Sequence, residues 1–241
     1  MKRLLKSCVR QLARHIRIPI RAGPCQGFLW SVPTRIRFLR GDYELRFAEF
    51  VAATLGPEDI FWDVGAHFGY YSLLASRIVT RGECFSFEPD AGNRWYLEHH
   101  VRWNRIKNIS IIPCAIASVS GPRSFGGNGT GSGHLDGVGQ TVQARTVDEL
   151  IESRACRPPS FMKIDVEGAE TEVLKSRFVN LAGVICVATH GARFHSECGE
   201  LLAGYGFEIF DSGASLLVAV DRNRKDCAAV MKRTACLKEV H

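Results

Sequence analysis

The run Ile60-Phe-Trp-Asp-Val-Gly-Ala-His-Phe-Gly-Tyr70, followed by Ser86-Phe-Glu-Pro89, constrains the fold of this chain more than any other stretch. An apolar segment ends in Asp63 and a turn follows with Gly65 and Gly69. Tyr71, Leu74, Ala75, Ile78 and Val79 then recur at helical spacing, and a second apolar segment ends in Glu88. Strand, tight loop, helix, strand is half of a nucleotide-binding α/β fold. In such a unit the backbone of the turn approaches the ligand. An acid at the end of the second strand, ~20 residues on, accepts hydrogen bonds from ribose hydroxyls. Glu88 stands at that place.

Charge selects among ribose-bearing ligands. A dinucleotide or triphosphate needs unpaired N–H groups at a helix N-terminus, often with a lysine, and no carboxylate beside its phosphates. Here Asp63 stands at the turn, and the chain has no Gly-Lys-Ser or Gly-Lys-Thr. Two carboxylates suit a ligand with a ribose, positive groups and no phosphate. S-adenosylmethionine, with its ammonium and sulfonium, meets that description, and NAD and ATP do not.

A length of 241 residues allows one α/β domain with decoration. With 46% hydrophobic and 23% charged residues the composition is that of a globular protein and excludes a disordered or fibrous chain. No apolar run approaches the ~20 residues of a membrane span. The net charge of +6 is unevenly spread: residues 1–41 hold ten Lys or Arg and no acid, leaving 21 basic against 25 acidic residues beyond, a balance of −4. Nucleic-acid binding would therefore rest on the N-terminal segment alone, and the arm over 1–22 is not interleaved with aromatics as a single-strand platform requires.

Within residues 1–22, Leu5, Cys8, Leu12 and Ile16 follow helical spacing, without the unbroken apolar core of a secretory signal. Two readings stay open: a helix docked along an edge of the domain, or an interfacial helix on an anionic membrane surface. The nine cysteines include no C-x-x-C pair, and Cys84, Cys114 and Cys186 sit in apolar runs as small hydrophobes. We expect neither a disulfide framework nor a metal site, and a cytoplasmic location.

The organisation reads as a basic arm and cap over 1–55, a core domain over 56–222 and a C-terminal tail over 223–241. Strands are expected at Cys84–Glu88, Ile109–Ala117, Val142–Ala144, Phe161–Asp165, Val184–His190, Phe207–Phe210 and Ser215–Asp221. Helices are expected at Asp42–Leu55, Arg94–Trp103, Glu167–Ser176 and Phe194–Leu202, with His99 and His100 on a helix surface. Eight glycines fall between residues 120 and 140, which reads as a surface insertion or a lid over the acceptor pocket.

A second constellation is Lys163-Ile-Asp-Val-Glu-Gly-Ala-Glu170. Asp165 ends an apolar strand and Glu167 opens the next helix, so both belong to the crevice at the carboxyl ends of the strands. Glu170 reads as solvated. Asp165 and His190, both at strand ends, are the candidate catalytic groups, with His190 a base by chemistry and Asp165 its orienter or the base itself.

Asp63-Val-Gly-Ala-His-Phe-Gly69, Phe87-Glu-Pro89, Thr146-Val-Asp148 and Lys163 to Glu170, in this order and spacing, resemble the FkbM family of methyltransferases. The likeness covers residues ~40–221, most of the inferred core. It implies a Rossmann-like class I fold dependent on S-adenosylmethionine: a seven-stranded, mostly parallel sheet with helices on both faces and an antiparallel last strand. It also implies O-methylation of a hydroxyl on a sugar, glycan or secondary metabolite. By the same resemblance Asp63, Gly65, Ala66 and Gly69 line the methionine side, Glu88 the ribose and the segment Cys114, Ala115 to Ala117 the adenine, with Asp165 near the transferred methyl. The chain departs from the family at His67, usually Asn, at Ala188, usually Glu two places before the histidine that is His190 here, and at Ser176, commonly Gly. The competing functions are an RNA or protein methyltransferase and a non-catalytic nucleotide-binding domain.

Overall fold

The computed structural model describes residues 13–126, 133–213 and 215–239. The first half of the arm, residues 1–12, lies outside them. Beyond it the helical spacing does not persist: β1 (Arg17–Pro19) pairs antiparallel with β2 (Leu29–Ser31). Pro19 favours an extended residue before it and cannot donate into a helix, so tertiary pairing decides the segment. Two cap helices follow, α1 (Ile36–Arg40) and α2 (Leu45–Thr54).

The core then winds through β3 (Ile60–Val64), α3 (Tyr70–Ile78), β4 (Glu83–Phe87), α4 (Ala91–Trp103) and β5 (Ile109–Ile112). The α4 helix begins three residues earlier than its hydrophobic pattern indicates because Asp90 caps it, its Oδ1 accepting the Asn93 N–H at 2.7 Å. The run 109–117 is not one strand. Pro113 has no N–H to give a ladder, and after it the chain leaves the main sheet to form β6 (Ala115–Ile116). With β7 (Gly121–Gly126), β8 (His134–Leu135) and β9 (Gln140–Arg145), β6 builds a second sheet in the order β6-β9-β7-β8. The glycine-rich stretch is thus sheet on both sides of residues 127–132, which lie outside the described residues.

Next come α5 (Val147–Glu152), β10 (Phe161–Ile164), α6 (Glu170–Leu174), β11 (Val184–Ala188), α7 (Ala192–Gly204), β12 (Phe207–Asp211) and β13 (Leu216–Asp221). Helix α6 opens at Glu170 and not at Glu167, because Glu167 (φ 52°) and Gly168 (φ 101°) are left-handed and no helix passes through them. Residues after 222 are no loose tail. They form α8 (Cys227–Arg233) and a 3₁₀ turn at 234–239 that packs on α2 and buries Val230 and Leu237.

The main sheet runs β12-β13-β11-β10-β3-β4-β5, with β13 antiparallel to its neighbours and the rest parallel. This is the expected seven-stranded class I arrangement. Both faces are covered, so the central strands are apolar over most of their length. Phe61 and Phe161 point into one layer with α2, α3 and the cap, whereas Trp62, Val64, Met162 and Ile164 point into the other with α5, α6 and α7. Among the described residues no cysteine is in a disulfide, and seven of the eight are buried. No helix among them is long and apolar enough to cross a membrane.

Candidate active site

The chain order reverses between β3 and β10, and in open α/β sheets a ligand crevice forms where such a reversal separates the loops at the strands' carboxyl ends. The two loops there are in contact. Gly65 has φ 79°, and a Cβ on it would lie 1.9 Å from the Asp165 carbonyl oxygen, so only glycine lets the loops meet. Beneath them Asp63 is fully buried: Ser72 donates to its Oδ2 at 2.6 Å, and Lys163 Nζ lies 3.2 Å from its Oδ1. Lys163 Nζ also lies 3.4 Å from Asp165 Oδ2 and donates to the Gly65 carbonyl. Burial opposes the Lys163 charge, but Asp63 and Asp165 more than offset that and hold its pKa above the usual lysine range. Asp63 therefore does not line the cavity as expected. It anchors the lysine that fixes Asp165. Gly69 is also off the cavity, its left-handed turn packed against Leu97 of α4.

The cavity itself is lined by Gly65, Ala66, Glu88, Cys114, Ala115 and Asp165 among the expected residues. Glu88 is almost fully buried. Its Oε2 accepts the His67 N–H at 2.7 Å and its Oε1 the Asp90 N–H at 2.8 Å. Burial outweighs these bonds and pushes its pKa up to about 7. A carboxylate held in this way keeps lone pairs for two vicinal hydroxyls, and the apolar wall of Cys114, Ala115 and Ile116 suits a flat heterocycle beside them.

At the other side stand Asp165 and Glu167; His190 is not itself a lining residue but lies against both. His190 Nε2 lies 3.7 Å from Asp165 Oδ1 and 3.5 Å from Glu167 Oε2, while its Nδ1 meets Glu170 Oε1 at 2.7 Å. Glu170 is not solvated: it is 0% exposed and also accepts the Gly168 N–H at 2.9 Å. The helix that begins at Glu170 turns its first side chain inward under the 167–168 loop, a geometry that spacing alone does not reveal. The Glu170 hydrogen bond, against the opposing effect of burial, and the nearby Glu167 and Asp165 raise the His190 pKa. With Nδ1–H given to Glu170, Nε2 is the ring nitrogen turned toward Asp165 and Glu167.

The remaining wall comes from elements the motifs do not mark. Arg35, Phe38 and Tyr43 reach it from the cap, and Phe125 and Leu135 from the second sheet. The glycine-rich segment thus contributes to the cavity. His100, expected on a surface, is fully buried: its ring stacks on Trp30 at 3.8 Å, accepts the Ser31 N–H at 3.0 Å and gives its other nitrogen to the Phe68 carbonyl at 2.8 Å. It ties the cap to the loop after β3. Among the described residues no group of His, Cys, Asp and Glu is arranged to hold a metal ion.

Comparison with known proteins gives concordant matches. The Methyltransferase FkbM domain family matches residues 63–209. The hexuronic acid methyltransferase AglP of Haloferax volcanii is 32% identical in an alignment 184 positions long that covers 70% of this chain and 71% of that one. Two solved structures share the fold. Precorrin-6y C5,15-methyltransferase from Geobacter metallireducens aligns with a TM-score of 0.51 at 13% identity, over 78% of this chain and 93% of that one. Methyltransferase FkbM from Methylobacillus flagellatus aligns with a TM-score of 0.50 at 18% identity, over 69% of this chain and 44% of that one.

Proposed function

The chain belongs to the FkbM methyltransferase family, and from that premise we propose that it transfers the methyl group of S-adenosylmethionine to a hydroxyl of a sugar or glycan. The observation that carries this reading is one cavity with a buried, ribose-competent acid at one side and, at the other, a carboxylate backed by an imidazole. The residues present fit the donor. Glu88 suits its ribose, the wall at Cys114 and Ala115 its adenine, and the loop at Gly65 and Ala66, beside the negative Asp165, its positively charged methionine end. When bound, S-adenosylmethionine supplies a methyl group on a positive sulfur.

The chain's own part is to aim the acceptor and take its proton. A sugar hydroxyl barely ionises at neutral pH, so a base adds ~10²–10⁴-fold. Neutral His190, its Nδ1–H fixed by Glu170, receives the hydroxyl proton at Nε2, and the imidazolium so formed is stabilised by Glu170, Glu167 and Asp165. Asp165, held from below by Lys163, accepts a hydrogen bond from the hydroxyl and orients it. Holding acceptor and methyl in line supplies much of the remaining acceleration. The basic arm is read as a peripheral contact with an anionic membrane surface, where lipid-linked glycans would be at hand.

Transfer of a labelled methyl group from S-adenosylmethionine to a panel of hexoses, hexuronic acids and their glycosides tests the reading. Label is expected in a base-stable ether on at least one sugar, and Asp165→Asn should abolish most of it while S-adenosylhomocysteine still binds. Labelled protein or RNA with unlabelled sugars would overturn it.

A further inference from the structure

The charges that line the cavity are unevenly satisfied. Lys163 is neutralised by Asp63 and Asp165 at 3.2 and 3.4 Å. Arg35 also lines the cavity, but its guanidinium makes no hydrogen bond or ion pair with any described residue. It is exposed at the start of α1, beside Phe38, whose ring lies 4.2 Å from that of Tyr43. Tyr43 is near enough to the catalytic side for both Asp165 and Arg35 to act on its hydroxyl. An unpaired guanidinium next to aromatic rings and within reach of the reacting side is a planar five-donor fork without an acceptor, and its best-matched partner is a carboxylate.

We propose that Arg35 is the anchor for the carboxylate of an acidic sugar acceptor, which makes the cavity selective for uronic acids over neutral sugars. This rests on the reading of the cavity as a sugar-hydroxyl methyltransferase site. The ring carboxylate pairs with Arg35 while a hydroxyl of the same sugar reaches Asp165 and His190. A neutral hexose leaves the guanidinium to water and loses a charge-assisted, bidentate contact. The hexuronic acid named for the Haloferax volcanii relative has the same chemistry.

The test is binding to the protein saturated with S-adenosylhomocysteine, followed by calorimetry or ligand-detected NMR, with D-glucuronate, D-galacturonate and D-mannuronate each set against its parent hexose. At least one uronate should bind tenfold or more tightly than its hexose, Arg35→Met should erase that preference, and Arg35→Lys should restore part of it. The affinity for S-adenosylhomocysteine should stay within about twofold in both variants, which also shows that they fold. Equal binding of acid and hexose in the unaltered protein would overturn the proposal. So would a loss in Arg35→Met of S-adenosylhomocysteine affinity with no loss for 5′-methylthioadenosine, which lacks the amino-acid carboxylate, since Arg35 would then serve the donor. Turnover separates the two levels: a uronate preference without any methyl transfer to sugar would sink the function and leave the anchor standing.

Discussion

Glu88 gives cofactor binding a pH dependence of calculable sign. With its pKa raised to about 7 by burial, it is half protonated near neutrality in the free protein. Ribose hydroxyls donate to the ionised form, so binding must expel the proton at lower pH. Affinity for S-adenosylhomocysteine should fall about tenfold from pH 8 to pH 6, and in Glu88→Gln it should be flat with pH and weaker by ~1.5–3 kcal/mol. Calorimetry at three pH values reads both; an equally steep slope in the variant would place the titrating group elsewhere. At the catalytic side, Asp165→Asn and His190→Ala should each lower kcat by ~10²–10⁴-fold with donor affinity little changed. Glu170→Gln should also lower kcat, and because Glu170 is the main support of the His190 proton, the acidic limb of the rate profile should move to lower pH. A profile that keeps its midpoint would reduce Glu170 to packing. The places of Glu88 and Asp165 on the cavity and of His190 against Asp165 were legible because strand ends in an α/β sheet open toward the crevice. An acid at a strand end reads the same whether it meets ligand or lysine, so Asp63 did not reveal its burial. Glu170 read as solvent-facing because the left-handed turn at 167–168 that points it inward leaves no periodic signal.

At the scale of elements, the joint between cap and sheet is an imidazole. Burial pushes the His100 pKa down to about 3, so the folded protein holds it neutral between the Ser31 N–H and the Phe68 carbonyl. The unfolded chain takes up a proton below about pH 6.5. Stability contributed by neutral His100 is thus complete above that pH and is lost as pH falls from 6.5 toward 3, at up to ~1.4 kcal/mol per unit. Urea unfolding across this range should show the slope, and His100→Gln should lose that part of it; an unchanged slope would count against the joint. The closing helix α8 and the 3₁₀ turn after it are structural on the same footing: Leu237→Ala should cost about 2–5 kcal/mol, the range for emptying a buried leucine site. Helices and strands of the core were readable from period and length. The break at Pro113, the strand β1 and the packed C-terminus were not, because a proline, a strand pairing and a long-range contact each override local pattern.

Over the whole molecule, three apolar runs ending in Asp63, Glu88 and Asp165 mark the middle of the sheet, which is why the architecture was evident before any coordinate. Charge placement was evident too, but not its use. Arg14 stacks over Trp95 at 4.1 Å and Arg17 over Trp103 at 5.4 Å, so the described part of the arm is moored on α4. Ile20 is buried in the core. Residues 1–12, outside the described residues, carry Lys2, Arg3, Lys6 and Arg10, and the membrane reading rests on them. A protein starting at residue 13 should keep its melting temperature and cofactor affinity yet lose binding to phosphatidylserine vesicles, and in the full chain that binding should fade as salt rises from low ionic strength to ~0.5 M. Equal sedimentation of both proteins would deny the arm a surface. The buried cysteines have one more effect, on how the protein ages. Burial raises the pKa of Cys25, Cys114, Cys156 and Cys198 to about 12, so in the native state these sulfurs are poor nucleophiles and slow to oxidise. Once the chain opens, all nine thiols are available to pair at random. Heating in air then becomes a one-way passage whose pace is set by the rate of opening, and the fraction of enzyme recovered on cooling should depend on whether a reductant was present during the excursion.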